Sequence, residues 1–146
     1  LKRENHISNI IKSESKLLNT QTYIDWEAST IANMTVLKST IDNLKREGYK
    51  VIGYGAAAKG NTLLNYIDTP LDLIIDDSPL KQNLYAPGTN SPIKSVDALK
   101  EFSKETKIVF MPLAWNFFTE ISQRIKSVRN EPHDKFLKYF PNVEVV

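Results

Sequence analysis

Residues Val51–Thr62 read VIGYGAAAKGNT. Three glycines, Gly53, Gly55 and Gly60, stand among small and β-branched residues around one lysine, Lys59. Tyr49–Tyr54 (YKVIGY) ahead of the second glycine predicts a strand, and Ala57–Tyr66 behind it predicts a helix. The spacing Gly53, Gly55, Ala58 satisfies G-x-G-x-x-G/A. In that pattern glycine permits a tight turn and close approach to phosphate, and the small third residue lets helix and strand pack closely. The helix N-terminus adds free amides and a positive dipole end. Lys59, Asn61 and Thr62 add donors in or near the first turn. A P-loop is excluded: Gly55–Thr62 reads G-x-x-x-x-G-N-T, so Asn61 stands where the phosphate-gripping lysine belongs.

Working outward, apolar runs alternate with helical patterns. Leu71–Ile75 (LDLII) and Lys107–Met111 (KIVFM) predict strands. Val96–Phe102 and Asn116–Val128 predict helices, and Lys135–Phe140 and Val143–Val146 close the chain with β-rich residues. Residues 76–94, with Pro79, Pro87, Gly88 and Pro92, predict a long loop. This alternation implies an α/β fold: a Rossmann-like, mostly parallel sheet with helices on both faces. A helical connector, residues 1–47, precedes it and is expected to pack on the domain of residues 48–146. In the connector, Ile7, Ile10, Ile11, Leu17 and Leu18 recur at helical spacing before Asn19–Thr22 interrupts. Ile31, Met34, Leu37, Ile41 and Leu44 then place one apolar stripe along a second helix, with Gly48 as its C′ residue.

Composition bounds the function. With 146 residues, 41% hydrophobic and 25% charged, the chain can bury one sizeable core. A net charge of +2 argues for neither a nucleic-acid nor a membrane partner. Zero cysteines exclude a disulfide framework and a thiolate metal site, which fits a reducing, cytoplasmic setting. The chain begins at Leu1 without an apolar leader and reads as a fragment of something longer. His6 and His133 have no acid or serine partner that the sequence can place, and no catalytic or metal-ligating residue is expected.

Ligands of open parallel sheets bind at the carboxyl ends of the strands. Asp76 follows Gly55 by about the ~20 residues at which a dinucleotide site places its ribose acid. It is read as a ribose or sugar hydroxyl acceptor, or as a turn-forming residue before Ser78-Pro79. Lys59 is read as a phosphate contact or a solvated first-turn lysine, and Lys81 and Gln82 as ligand contacts or surface residues of the long loop. Tyr54 and Tyr85 offer stacking or packing, Trp115 an anchor, and Asn116 an N-cap aiming its helix at the cleft.

The run Gly53–Asn65 (GYGAAAKGNTLLN) resembles the signature of the C-terminal domain of S-adenosylmethionine-dependent sugar C-methyltransferases, which act on nucleotide-linked deoxysugars. Asp76–Gln82 (DDSPLKQ), Pro87-Gly88-Thr89 before Ser91-Pro92-Ile93, Leu113–Phe117 (LAWNF) and the terminal FPNVEVV agree in order and spacing. The likeness covers Gly48–Val146 well and the helical third more loosely. Two positions depart: Asn83 replaces a glycine, and Asp77 replaces a basic or neutral residue. The resemblance implies that S-adenosylmethionine and the catalytic acid–base groups belong to a separate, N-terminal methyltransferase domain. The domain here is then implied to hold the nucleotide-linked sugar without a cofactor of its own. The contacts expected are Gly53, Tyr54, Gly55, Ala56, Lys59, Gly60, Asn61, Asp76, Lys81, Gln82, Trp115 and Asn116. Two other classes stay open. One is a nicotinamide-dinucleotide-binding oxidoreductase domain. The other is a non-enzymatic scaffold that forms homo-oligomers through the helix Thr30–Glu47.

Overall fold

The structure, a computed structural model, describes residues 2–146, with side chains from His6 onward. The chain forms two compact units, the first ending at Met34 and the second running Thr35–Val146. In the first unit α1 (Lys2–Glu14) leads through a 3-10 turn (Ser15–Leu18) into α2 (Thr20–Arg46). The break is shorter than the sequence suggests. Asn19 Oδ1 accepts the Gln21 amide at 2.9 Å and so caps α2, and Thr20–Thr22 already belong to its first turn.

The second unit begins inside α2, earlier than Gly48. Of the predicted stripe, Leu37, Ile41 and Leu44 are buried, Met34 is half-buried and Ile31 is exposed. Lys38 Nζ donates to the carbonyls of Ile67 and Asp68 at 2.6 and 3.0 Å, and Lys45 Nζ to Pro70 at 2.6 Å. Gly48 ends the helix as expected. At φ +86° it lets the Gly48 amide reach the Lys45 carbonyl and the Tyr49 amide reach that of Leu44, each at 3.0 Å.

Six strands follow: β1 (Lys50–Tyr54), β2 (Leu73–Ile75), β3 (Ile93–Lys94), β4 (Ile108–Pro112), β5 (Lys135–Lys138) and β6 (Glu144–Val145). Their order in the sheet is β3-β2-β1-β4-β5-β6, parallel except for β6. This is the α/β, Rossmann-like sheet read from the sequence, and its order reverses between β1 and β4. Side chains alternate along β1. Ile52 and Tyr54 join Phe110, Phe136 and Leu99, with Ile121 and Ile125 of α4 (Phe118–Lys126), in one core. Gly53 faces the other way, where an added Cβ would lie 2.8 Å from Leu71 Cδ1. That face carries α3 (Ala58–Tyr66).

Two local readings change. The loop of residues 76–94 holds a strand, β3, paired with β2 through Ile74–Ile93 and Ile75–Lys94. Its middle folds back on itself: Asn83 donates to the Ile93 carbonyl, Ile93 to Leu84 and Ala86 to Ser91, each at 2.8 Å. Asn83 adopts φ +65°, so it takes over the left-handed turn that glycine would otherwise supply. Asn116 is not an N-cap. It lies exposed inside a 3-10 turn (Trp115–Phe117), and α4 starts after Phe117 with no side-chain cap.

At the amino ends of β4 and β5, Arg129 and Asp134 form a buried ion pair at 2.9 Å, their side chains 5% and 6% exposed. The guanidinium also donates to the carbonyls of Phe102, Ser103 and Thr106. Asp134 accepts the amides of Ile108 and Glu131. His133 is half-buried, with Nε2 3.2 Å from the Thr106 carbonyl oxygen.

Candidate functional site

The glycine loop leaves β1 at the reversal point of the sheet. Gly55, at φ +94°, takes a conformation open mainly to glycine. Its amide donates to the Ile75 carbonyl at 2.7 Å, and the Ala57 amide donates to Gly55 at 2.8 Å. The Ala56 amide donates to Asp76 Oδ2 at 2.7 Å. Three amides expected around a phosphate are therefore engaged within the loop. The first intrahelical bond of α3 runs from Asn61 to Ala57, which leaves the amides of Ala58, Lys59 and Gly60 at the open helix start.

Asp76 organises this end of the sheet. Oδ1 accepts the Ser78 amide at 2.9 Å, the turn-forming alternative read from the sequence. Oδ2 accepts both the Ala56 amide and Lys81 Nζ, the latter at 3.2 Å. Lys81 Nζ also donates to the Ala56 carbonyl at 3.0 Å, and Gln82 Nε2 to the Asp76 carbonyl at 3.0 Å. Asp76, Lys81 and Gln82 thus knit the long loop to the glycine loop. A carboxylate already holding three donors offers little to a ribose diol.

Between these loops lies a cavity of about 340 Å³. Ile74, Ile93 and Leu113, all buried, form its floor, and Ala56, Ala57, Ala58 and Asn61 one wall. Leu84, Tyr85 and Pro87 form an exposed rim, with Lys81 beside them. Asn61 Oδ1 is buried there without a hydrogen-bond partner. The rim is held from α3: Asn65 Nδ2 donates to the carbonyls of Asn61 and Pro87 at 2.8 and 3.0 Å. Gly88 sits opposite it at φ +85°, a conformation that favours glycine, and an added Cβ would push the Asn65 amide aside.

The other predicted contacts are placed differently. Gly53 is inside the sheet. Tyr54 is buried in the core, its hydroxyl donating to Asp77 Oδ2 at 2.8 Å, so its ring has no free face for stacking. Burial, and then Asp77, push its phenol up to about 12. Asp77, the residue unexpected beside an anion site, is thereby engaged. Gly60 supplies the close helix–strand contact assigned to Ala58: a Cβ on Gly60 would lie 2.7 Å from Leu113 Cβ, whereas Ala58 is exposed. Lys59 is exposed at the helix start. Trp115 stacks on Phe140 with ring centroids 4.2 Å apart, at a second cavity of about 390 Å³ beyond β4. Asn116 lines neither cavity. Leu84, Ile93 and Leu113 went unread as cavity residues, since each carries only the signal of a core residue. No cluster of potential metal ligands occurs among the described residues. Nor is any helix among them long and apolar enough to cross a membrane.

The fold and this crevice define a Rossmann-like domain whose reversal point carries a small, mostly apolar pocket. Comparison with protein families makes the assignment. The chain belongs to the C-methyltransferase C-terminal domain family, whose model matches residues 2–141. No curated protein sequence matches it.

Proposed function

We propose that this domain binds the nucleotide-linked sugar for an S-adenosylmethionine-dependent enzyme that methylates a sugar carbon. Methyl donor and catalytic groups belong to the partner methyltransferase domain, and the chain works beside it in the cytoplasm. The observation that carries this reading is the mostly apolar cavity at the start of α3, which lies beside the open helix amides. Such pockets, apolar with a few placed polar groups, are the usual form of small-ligand sites. The helix start and Lys59 supply the positive end for a diphosphate. The engagement of Asp76 by Ala56, Ser78 and Lys81 speaks against the nicotinamide reading, which needs that carboxylate for ribose.

A thermal-shift series on the chain tests this. Uridine- or thymidine-diphosphate sugars are expected to raise the melting temperature, with NAD(H) and S-adenosylmethionine silent. At a hundredfold excess over Kd the stabilisation is about 2.7 kcal/mol. A shift by NAD(H) or S-adenosylmethionine, with none by the sugar nucleotides, overturns the proposal.

A further inference from the structure

None of the described residues 6–34 of the first unit is buried, yet this unit is rich in large apolar side chains. Ile7, Ile10 and Ile11 stand at i, i+3 and i+4 and share one face of α1, 56%, 41% and 65% exposed. Leu18 follows at 91%. At the start of α2, Tyr23, Ile24 and Trp26 are each about half exposed. The polar atom of Tyr23 is already engaged, its hydroxyl donating to the Leu17 carbonyl at 2.9 Å. Its ring meets Trp26 edge-on, with centroids 5.4 Å apart, and the surface the pair presents outward is apolar.

A helix of 13 residues is marginal in water on its own, and most helices in proteins depend on a covered apolar face. α1 has such a face, and its own unit does not bury it. The seven side chains together expose the equivalent of about four whole ones, on the order of 800 Å². Single chains seldom keep apolar patches above roughly 300–600 Å² open to water. About 800 Å² is one partner's share of a standard protein–protein interface.

Charge selects the partner. Residues 1–18 hold Lys2, Arg3, Lys12 and Lys16 against Glu4 and Glu14, a formal +2. Residues 19–34 hold Asp25 and Glu27 and no base, a formal −2. The same surface thus carries both halves of a complementary pair, as a two-fold contact between identical copies requires. A two-fold that lays α1 of one copy along the start of α2 of the other covers the isoleucine face with Tyr23, Ile24 and Trp26. It also turns Lys12 and Lys16 toward Asp25 and Glu27, and does so twice.

We infer that the chain forms a homodimer through its first unit, α1 of each copy docking on the start of α2 of the other. Sedimentation equilibrium over a range of chain concentrations tests this. The unaltered chain is expected at twice its 16.6 kDa. Lys12→Glu with Lys16→Glu sets acid against acid, and Asp25→Lys with Glu27→Lys sets base against base. Each of these variants alone should dissociate at least about tenfold more readily. Mixed in equal amounts, the two should pair with one another as heterodimers, because every contact again joins opposite charges. A variant that is merely destabilised cannot give that result. Trp26→Glu, which puts a charge into the apolar stripe, should stay monomeric, and no mixing should restore it. A monomer at every concentration, a dimer indifferent to the charge changes, or charge variants that stay apart on mixing overturns the proposal. So does a monomer that pairs with a separately produced methyltransferase domain through these residues, which would assign the face to that domain. The sugar-nucleotide test reads the second unit and stands or falls independently of all these outcomes.

Discussion

The two ends of the sheet each bury a carboxylate, and they use it differently. At the amino ends, Asp134 and Arg129 are about 95% covered and saturate one another and the surrounding backbone. At the carboxyl ends, Asp76 is nearly as buried, but its partner Lys81 is 44% exposed and shared with the Ala56 carbonyl. The first end is closed and structural. The second fastens two loops and leaves a cavity between them. One sheet thus separates a closed, saturated end from an end that holds a cavity, and open parallel sheets place their sites at the latter end.

The strongest way to break this contrast is Arg129→Ala. It leaves Asp134 buried without its cation, and a loss of about 3–5 kcal/mol is expected. Urea unfolding monitored by circular dichroism measures it; a loss under 1 kcal/mol would show that the closed end is not a keystone. Asp76→Ala should cost less, about 1–3 kcal/mol, because its donors are neutral amides and a half-exposed lysine that water can reach. Its larger consequence should be functional: without Asp76 the long loop detaches from Ala56, and sugar-nucleotide stabilisation in the thermal-shift series should vanish while the fold remains. Retained ligand stabilisation in this variant would separate Asp76 from the site. The smallest effect concerns alkaline pH. Tyr54 has its phenol raised from 10.0 to about 12, chiefly by burial, and Tyr139 likewise. A raised phenol favours the folded, protonated form. Its contribution is complete below pH 10 and is lost as pH rises toward 12. Tyr54→Phe should therefore flatten the fall in urea midpoint between pH 10 and 12 relative to the unaltered chain. An identical slope would mean that Tyr54 takes no part.

The legibility of the molecule follows the range of the forces involved. β1, the glycine turn and α3 were readable because strand period, glycine freedom and helix period are local properties. The short β3 was not. Its two residues form a strand only because β2 lies beside them and Asn83–Ala86 folds back on the other flank. The exchange of roles between Ala58 and Gly60 was equally hidden, since which small residue meets Leu113 depends on how α3 is rotated on the sheet. Asp76 shows the limit best. Its distance from Gly55 suggested a ribose ligand, whereas spatial proximity to Ala56 and Lys81 engages it within the protein. Arg129 and Asp134, five residues apart, carried no pattern that would announce a buried pair.

By itself, then, the order of residues determined the α/β class, the position of the glycine turn, the end of α2 at Gly48 and the family, because all of these rest on short-range periodicity or on runs of matching residues. Only the tertiary structure decided that Asp76 is a fastener and that the loop after β2 closes over a pocket. Those outcomes depend on groups some 20 or more residues apart being brought within hydrogen-bond reach, as from Ala56 to Asp76 or Lys81, and that encounter is written in the packing of the sheet.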